Sequence, residues 1–245
     1  MSSNKQLTSA DFADFIDLER KNYADSANNS FAIALGILRR KYTKLEILRQ
    51  RTQPLIALYL SEPIRHLPSG LPEEFFQKLE ARTNLLLEIE LNFESFFVFG
   101  SILCDEIAHF ILYLFGSPRN VKFGGHRELS KNFHTYAQSL SLEFSPGFQE
   151  TAGALERDLC DYRDKQIVHD FHARKLDAIG FTTPSNDVRL SYGLMYPKDT
   201  DTFVHSKNWS ELSELLSTYM HHVLSLVQCN RQKSRFKHAL LIGSA

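Results

Sequence analysis

The stretch from Glu73 to Phe115 limits the fold more than any other part of the chain, because its pattern is helical and increasingly apolar throughout. Leu85, Leu86, Ile89, Phe93, Phe96 and Phe97 recur at the spacing of a core-facing helical stripe. Pro72 suits the first position of such a helix, and Gly116, Ser117 and Pro118 stop it. The part from Phe96 to Phe115 is as long as a bilayer-spanning helix, which needs about 20 residues. Asp105, Glu106 and His109 fall near its centre, however, where a charged residue costs roughly 2.5–3.5 kcal/mol on insertion scales. The expectation is a buried core helix and no membrane association. A helix so apolar must be surrounded by others, which predicts an all-α fold, a bundle of about five to seven helices.

The flanking segments supply those partners. Thr8, Ser9 and Asp11 are capping candidates, and Phe12, Phe15, Ile16, Ala32, Leu35 and Leu38 follow at helical spacing, with a possible break at 25–30. Residues 1–52 are therefore one long helix or two. Pro54, Pro63, Pro68, Gly70 and Pro72 make 51–72 a connector with room for a short helix. Shorter helices are predicted over 127–142 and 148–168, separated by Ser145, Pro146 and Gly147. The segments KLDAIGFTT and VRLSYGLMY carry β-favouring residues around Pro184–Asp187, which predicts a small hairpin insert within 172–200. A final helix over 208–230 presents Trp209, Leu212, Leu215, Leu216, Tyr219, Val223, Leu226 and Val227 on one broad face. Residues 231–245 read as a mobile basic tail. The whole chain, 1–245, is expected to be one domain whose core is 72–171 plus 208–230.

At 245 residues and 43% hydrophobic content the chain can bury a full core unaided. Its 28 basic and 29 acidic residues leave a net charge of −1, so no whole-molecule field draws it to nucleic acid or anionic membrane, and any such binding must be local. Cys104, Cys160 and Cys229 are widely spaced and form neither a CxxC pair nor a secreted disulfide pattern. Residues 1–10 lack the layout of a signal peptide. These features predict a soluble, reduced, cytoplasmic protein with no metal and no other cofactor.

Chemistry concentrates in the run Leu159-Cys160-Asp161-Tyr162-Arg163-Asp164-Lys165-Gln166-Ile167-Val168-His169-Asp170-Phe171. It places an arginine, an acidic neighbour and a histidine close together. A histidine near neutral pH can deprotonate a ribose 2′-hydroxyl or protonate a leaving 5′-oxygen. A guanidinium can grip a phosphate bidentately and stabilise the charge that accumulates on its oxygens. On these terms His169 is the acid–base group and Arg163 the phosphate clamp, with Asp164 orienting either. Arg163-Asp164 followed by His169 resembles the motif of the HEPN superfamily, an arginine with a polar neighbour and a histidine four to six residues on, set in a helical bundle. The resemblance implies a metal-independent endoribonuclease or RNA-binding protein of a toxin–antitoxin or antiviral defence type, dimeric, with a possible protein inhibitor.

Helical geometry sets a condition on that assignment. Six residues of α-helix advance about 600°, leaving Arg163 and His169 roughly 120° apart and about 9 Å along the axis. Either the helix ends near Val168 or the site is composed across a homodimer. The plainer alternative makes Arg163 with Asp161 or Asp164 a surface ion-pair cluster and His169 a residue at a helix C-terminus. A non-catalytic helical dimer binding a nucleotide or a protein is the competing function.

Other residues could serve or compete. Arg39, Arg40 and Lys41, continued by Lys44, Arg49 and Arg51, can form a phosphate-binding stripe, and Lys165 adds a cation beside the motif. A plain solvated helix face is the favoured explanation of the stripe. Glu106 and His109 share a helical face, the device of di-iron bundles, but no second Glu-x-x-His copy exists, and Asp105 and Glu106 can instead support the motif helix from across the bundle. His169 with His172, and His221 with His222, lack the partners of a zinc site. Gly124-Gly125 reads as an ordinary turn.

Overall fold

A computed structural model describes residues 6–61, 73–118, 121, 123–160, 163, 181–182, 188–189 and 209–236. These residues are mostly helical: α1 Ser9–Glu19, α2 Asp25–Ser61, α3 Glu73–Phe115, α4 His126–Ser139, α5 Phe148–Leu155 and α6 Trp209–Cys229.

Helix α1 starts where capping chemistry puts it. Thr8 Oγ1 accepts the Asp11 backbone N–H at 3.1 Å, and the Asp11 carboxylate accepts the Thr8 N–H at 2.9 Å, a reciprocal capping box. The break between the first two helices falls on a 3-10 turn, Arg20–Asn22, just before the 25–30 break predicted, and α2 begins at Asp25. Helix α2 then runs through Pro54 to Ser61, so the connector predicted over 51–72 is corrected: its first eleven positions are helical. A proline inside a helix costs about 3 kcal/mol. Here Pro54 lies on the exposed side, while Thr52, Ile56 and Tyr59 on the opposite side are buried. Their burial offsets the lost hydrogen bond, and residues 62–72 lie outside the described residues.

Helix α3 occupies the range the pattern predicts and stops at Gly116, whose φ of +89° is the left-handed conformation that terminates helices and that glycine adopts without strain. Tyr136 locks this end by donating to the Gly116 carbonyl at 2.7 Å. By length and composition Phe76–Phe115 could cross a membrane, but 56% of its apolar window is buried inside the protein. Helix α2 packs along it, with α1 against α2. Helices α4, α5 and α6 form a second packed set, where Phe133 stacks on Phe148 at 3.9 Å between centroids and Phe148 meets Tyr219 at 5.3 Å.

The predicted helix over 148–168 changes form partway. After Leu155 it becomes a π-helical turn, Glu156–Cys160, and Arg163 has the same π conformation. Four residues of the predicted insert are described, and they pair antiparallel as Phe181 with Arg189 and Thr182 with Val188.

The basic tail also needs correcting, because 231–236 is ordered. Arg231 Nε donates to Glu19 at 2.6 Å, Ser234 is buried, the Arg235 N–H donates to the Leu114 carbonyl at 2.7 Å, and the Phe236 ring packs edge-on against Tyr23 and Tyr113. A buried acid, Glu19, gives this segment a partner, and the chain folds back over the end of α3. Residues 237–245 lie outside the described residues.

Candidate functional site

Three elements meet where the motif begins: the middle of α3, the start of α4 and the π turn. Helix α4 has no cap from its own chain neighbourhood, since its N-cap residue is Gly125. Asp105 of α3 takes that role, accepting the His126 backbone N–H on Oδ1 at 3.0 Å. A carboxylate at a helix N-terminus also meets the positive end of the helix dipole. The turn before α4 is tied down by Glu128, which accepts the Gly124 N–H at 2.6 Å, and by His109, whose Nε2–H donates to the Gly124 carbonyl at 3.1 Å. A side chain at Gly125 would come within 3.1 Å of Asp105 Oδ1, so this glycine makes room for the cap.

The other Asp105 oxygen faces the motif. Arg163 Nη1 lies 3.9 Å from Oδ2, with the Arg163 side chain 23% exposed and that of Asp105 44% exposed. The motif arginine therefore sits at the edge of the bundle beside a carboxylate from the core helix. Leu159 holds the π turn from behind: it is fully buried and packs so closely on Gly100 of α3 that a Cβ there would lie 2.7 Å from Cδ1. π turns occur often at functional positions. Asp164, Lys165 and His169 lie outside the described residues, as does His172.

The predicted basic stripe is divided among partners. Arg39 Nε donates to the Ser9 carbonyl at 3.1 Å and bridges α2 to α1. Lys41 lies 3.2 Å from Glu106, the residue next to Asp105, and Lys44 sits 5.0 Å above the Phe99 ring. Arg40 is exposed. Lys41 and Lys44 thus point toward α3 while Arg39 turns away, as expected when Arg39 and Lys41 are two positions, about 200°, apart around a helix. Glu106 and His109 also turn to separate partners, Lys41 and Gly124.

Beneath this surface lies a cluster that the sequence reading does not anticipate. Cys104, His126 and Cys160 are all buried, with ligand-capable atoms within 4.8 Å of one another. His126 Nδ1 lies 3.9 Å from Cys160 Sγ and 3.0 Å from Glu156 Oε2, and Arg127 Nε lies 3.3 Å from Glu156 Oε1. Burial disfavours the imidazolium, but hydrogen bonds to Cys160 and Glu156 outweigh it and push His126 up to about 9. A hydrogen bond from Cys104, opposed by burial and helped by His126, draws the Cys160 thiol down, while Cys104 is pushed up. Tyr219 closes the cluster with its ring 5.5 Å from the imidazole. The cysteines occupy apolar helical positions and His126 follows a glycine turn, so the sequence carried only the signal of core residues. No protein-family model, curated protein or solved structure matches this chain.

Proposed function

We propose that the chain is a HEPN-type protein that acts on RNA as a metal-independent endoribonuclease, in the cytoplasm, as a homodimer, in toxin–antitoxin or antiviral defence with a protein inhibitor as partner. The observation that supports this reading is the setting of Arg163, at the rim of the bundle where Asp105 orients it and where a phosphate can displace the long 3.9 Å ion pair. A bidentate guanidinium–phosphate contact is stronger than a solvated pair at that distance.

In the proposed reaction the ribose 2′-oxygen attacks the adjacent phosphorus as the bond to the 5′-oxygen breaks. His169 imidazole accepts the 2′ proton, and a protonated imidazole returns one to the departing oxygen, leaving a 2′,3′-cyclic phosphate and a 5′-hydroxyl. Arg163 neutralises the charge on the non-bridging oxygens, and Asp164 fixes the orientation of one of these two groups. Because the nucleophile is the 2′-hydroxyl, the substrate is RNA and not DNA. Lys165, two residues after Arg163 in the chain, would add a phosphate contact. The test is cleavage of RNA by purified protein with EDTA added at the start of the reaction and circular dichroism confirming the fold. Loss of cleavage in both Arg163→Ala and His169→Ala, each still folded, is the expected result; equal cleavage by parent and variants refutes the assignment.

A second reading, a non-catalytic dimer that binds a nucleotide or a protein, has its own observation. Ile33, Ile37 and Tyr113 are exposed along a groove of about 350 Å³ between α2 and α3 that also reaches Glu106 and His109. Saturable nucleotide or protein binding with RNA left intact would favour it.

A further inference from the structure

We propose that Cys104, His126, Glu156 and Cys160 form a structural zinc site that pins the start of α4 and the π turn to the core helix. This goes beyond the RNA-directed reading and does not depend on it.

The donor set comes from three elements. Cys104 is on α3, His126 is the first residue of α4, and Glu156 and Cys160 are the first and last residues of the π turn. Two soft sulfurs, an imidazole nitrogen and one carboxylate oxygen are a zinc-selecting combination. Tetrahedral coordination with Zn–S near 2.3 Å and Zn–N or Zn–O near 2.0–2.2 Å sets donor-to-donor edges of about 3.3–3.8 Å. The distances of 3.9 Å from Cys160 Sγ to His126 Nδ1 and 3.0 Å from Nδ1 to Glu156 Oε2 straddle that range, and the three nitrogen and sulfur donors already lie within 4.8 Å of one another. Cys104, His126 and Cys160 are the gathered set, and the Glu156 carboxylate, 3.0 Å from Nδ1, turns from that hydrogen bond to the metal as the fourth donor.

Burial adds an independent argument. Cys104, His126 and Cys160 are 0%, 1% and 5% exposed, and the Glu156 side chain is 13% exposed. Four ionisable groups gathered in an otherwise apolar core are costly unless a compensating charge joins them. Zinc supplies two positive charges against two thiolates and one carboxylate, and Arg127, already 3.3 Å from the far oxygen of Glu156, meets the remaining negative charge. His126 Nε2 and Tyr219 Oη are both buried without a hydrogen-bond partner. With Nδ1 on the metal, Nε2 must carry the ring proton, so the tautomer is fixed with this nitrogen as the donor. Four protein donors and no solvent-facing position make the site structural. On binding, the protons carried by the two thiols and by His126 Nδ1 leave to solvent and no electrons move.

The experiment uses the full chain produced with supplemented zinc and purified under reducing conditions without chelator. Elemental analysis should find about one zinc per chain in the parent and in Cys229→Ser, whose cysteine is exposed, with the zinc lost in Cys104→Ser and Cys160→Ser. Should those two variants fail to fold, the parent loaded with cobalt in place of zinc still decides the matter: thiolate-to-metal charge-transfer bands and tetrahedral ligand-field bands support the site. A parent that takes up no zinc or cobalt, zinc retained in both folded cysteine variants, or a Cys104–Cys160 disulfide found in the reduced preparation overturns it.

Discussion

Two glycines inside long helices, Gly36 of α2 and Gly100 of α3, should respond to alanine with opposite signs. Alanine is favoured over glycine in a helix interior by about 1 kcal/mol, and this gain applies at both positions. A Cβ at Gly36 meets nothing within 4 Å, so Gly36→Ala should stabilise the protein by nearly that amount. At Gly100 the same Cβ lies 2.7 and 3.1 Å from the two Leu159 methyls and 3.4 Å from Cγ. Leu159 is wholly buried and cannot swing away, so overpacking costs roughly 1–3 kcal/mol and outweighs the helix gain. The two variants should therefore differ by about 2 kcal/mol. At roughly 2–4 °C per kcal/mol for a chain of this size, that is about 4–8 °C in Tm by thermal circular dichroism, with Gly36→Ala above the parent and Gly100→Ala below it. Since Leu159 precedes Cys160, zinc retention should also fall in Gly100→Ala alone. A Gly100→Ala protein as stable as Gly36→Ala would refute the packing argument for the π turn.

Arg231→Ala strands the fully buried Glu19 carboxylate; after allowing for Arg231 being 32% exposed, it should cost about 2–3 kcal/mol in urea unfolding, and the double replacement Glu19→Leu with Arg231→Met should recover most of that. Asp105→Ala should lower stability by about 1 kcal/mol through loss of the α4 cap, whereas Asp105→Asn should keep the cap and weaken RNA cleavage, which a paired melt and cleavage assay separates. Tyr42 donates to the Leu7 carbonyl at 2.8 Å, and burial above all pushes its hydroxyl up to about 12. Because the folded value exceeds the unfolded one of 10, that stabilisation is intact below pH 10 and is lost as the pH rises toward 12, by roughly 3 kcal/mol. Tyr42→Phe should flatten this share of the alkaline loss in denaturant curves, and an unchanged alkaline limb would refute it.

How legible the fold was depended on how far apart the cooperating residues lie in the chain. Periodicity and punctuation are local, so the 73–115 helix could be read from Leu85 to Phe97 and from the Gly116 stop, and the α1 start from Thr8 and Asp11. Pro54 misled because the burial of Ile56 and Tyr59 that overrides it comes from tertiary packing. The tail misled for the same reason, since Arg231 is held by a residue 212 positions away. Asp105 was legible as a support for the motif from across the bundle, because its carboxylate sits in an apolar helix and needs a partner. Cys104, His126 and Cys160 were not, because spacing rules for metal sites assume ligands close in sequence and these converge only through the packing of three elements.

The π turn leaves this molecule with an adjustable dial. A π turn holds one more residue than an α turn, so removing a single residue between Glu156 and Cys160 would let an ordinary α turn close the same span. The loss would fall inside the turn, where Leu159 meets Gly100 and Cys160 meets His126, so the one extra residue is what seats both side chains in the core.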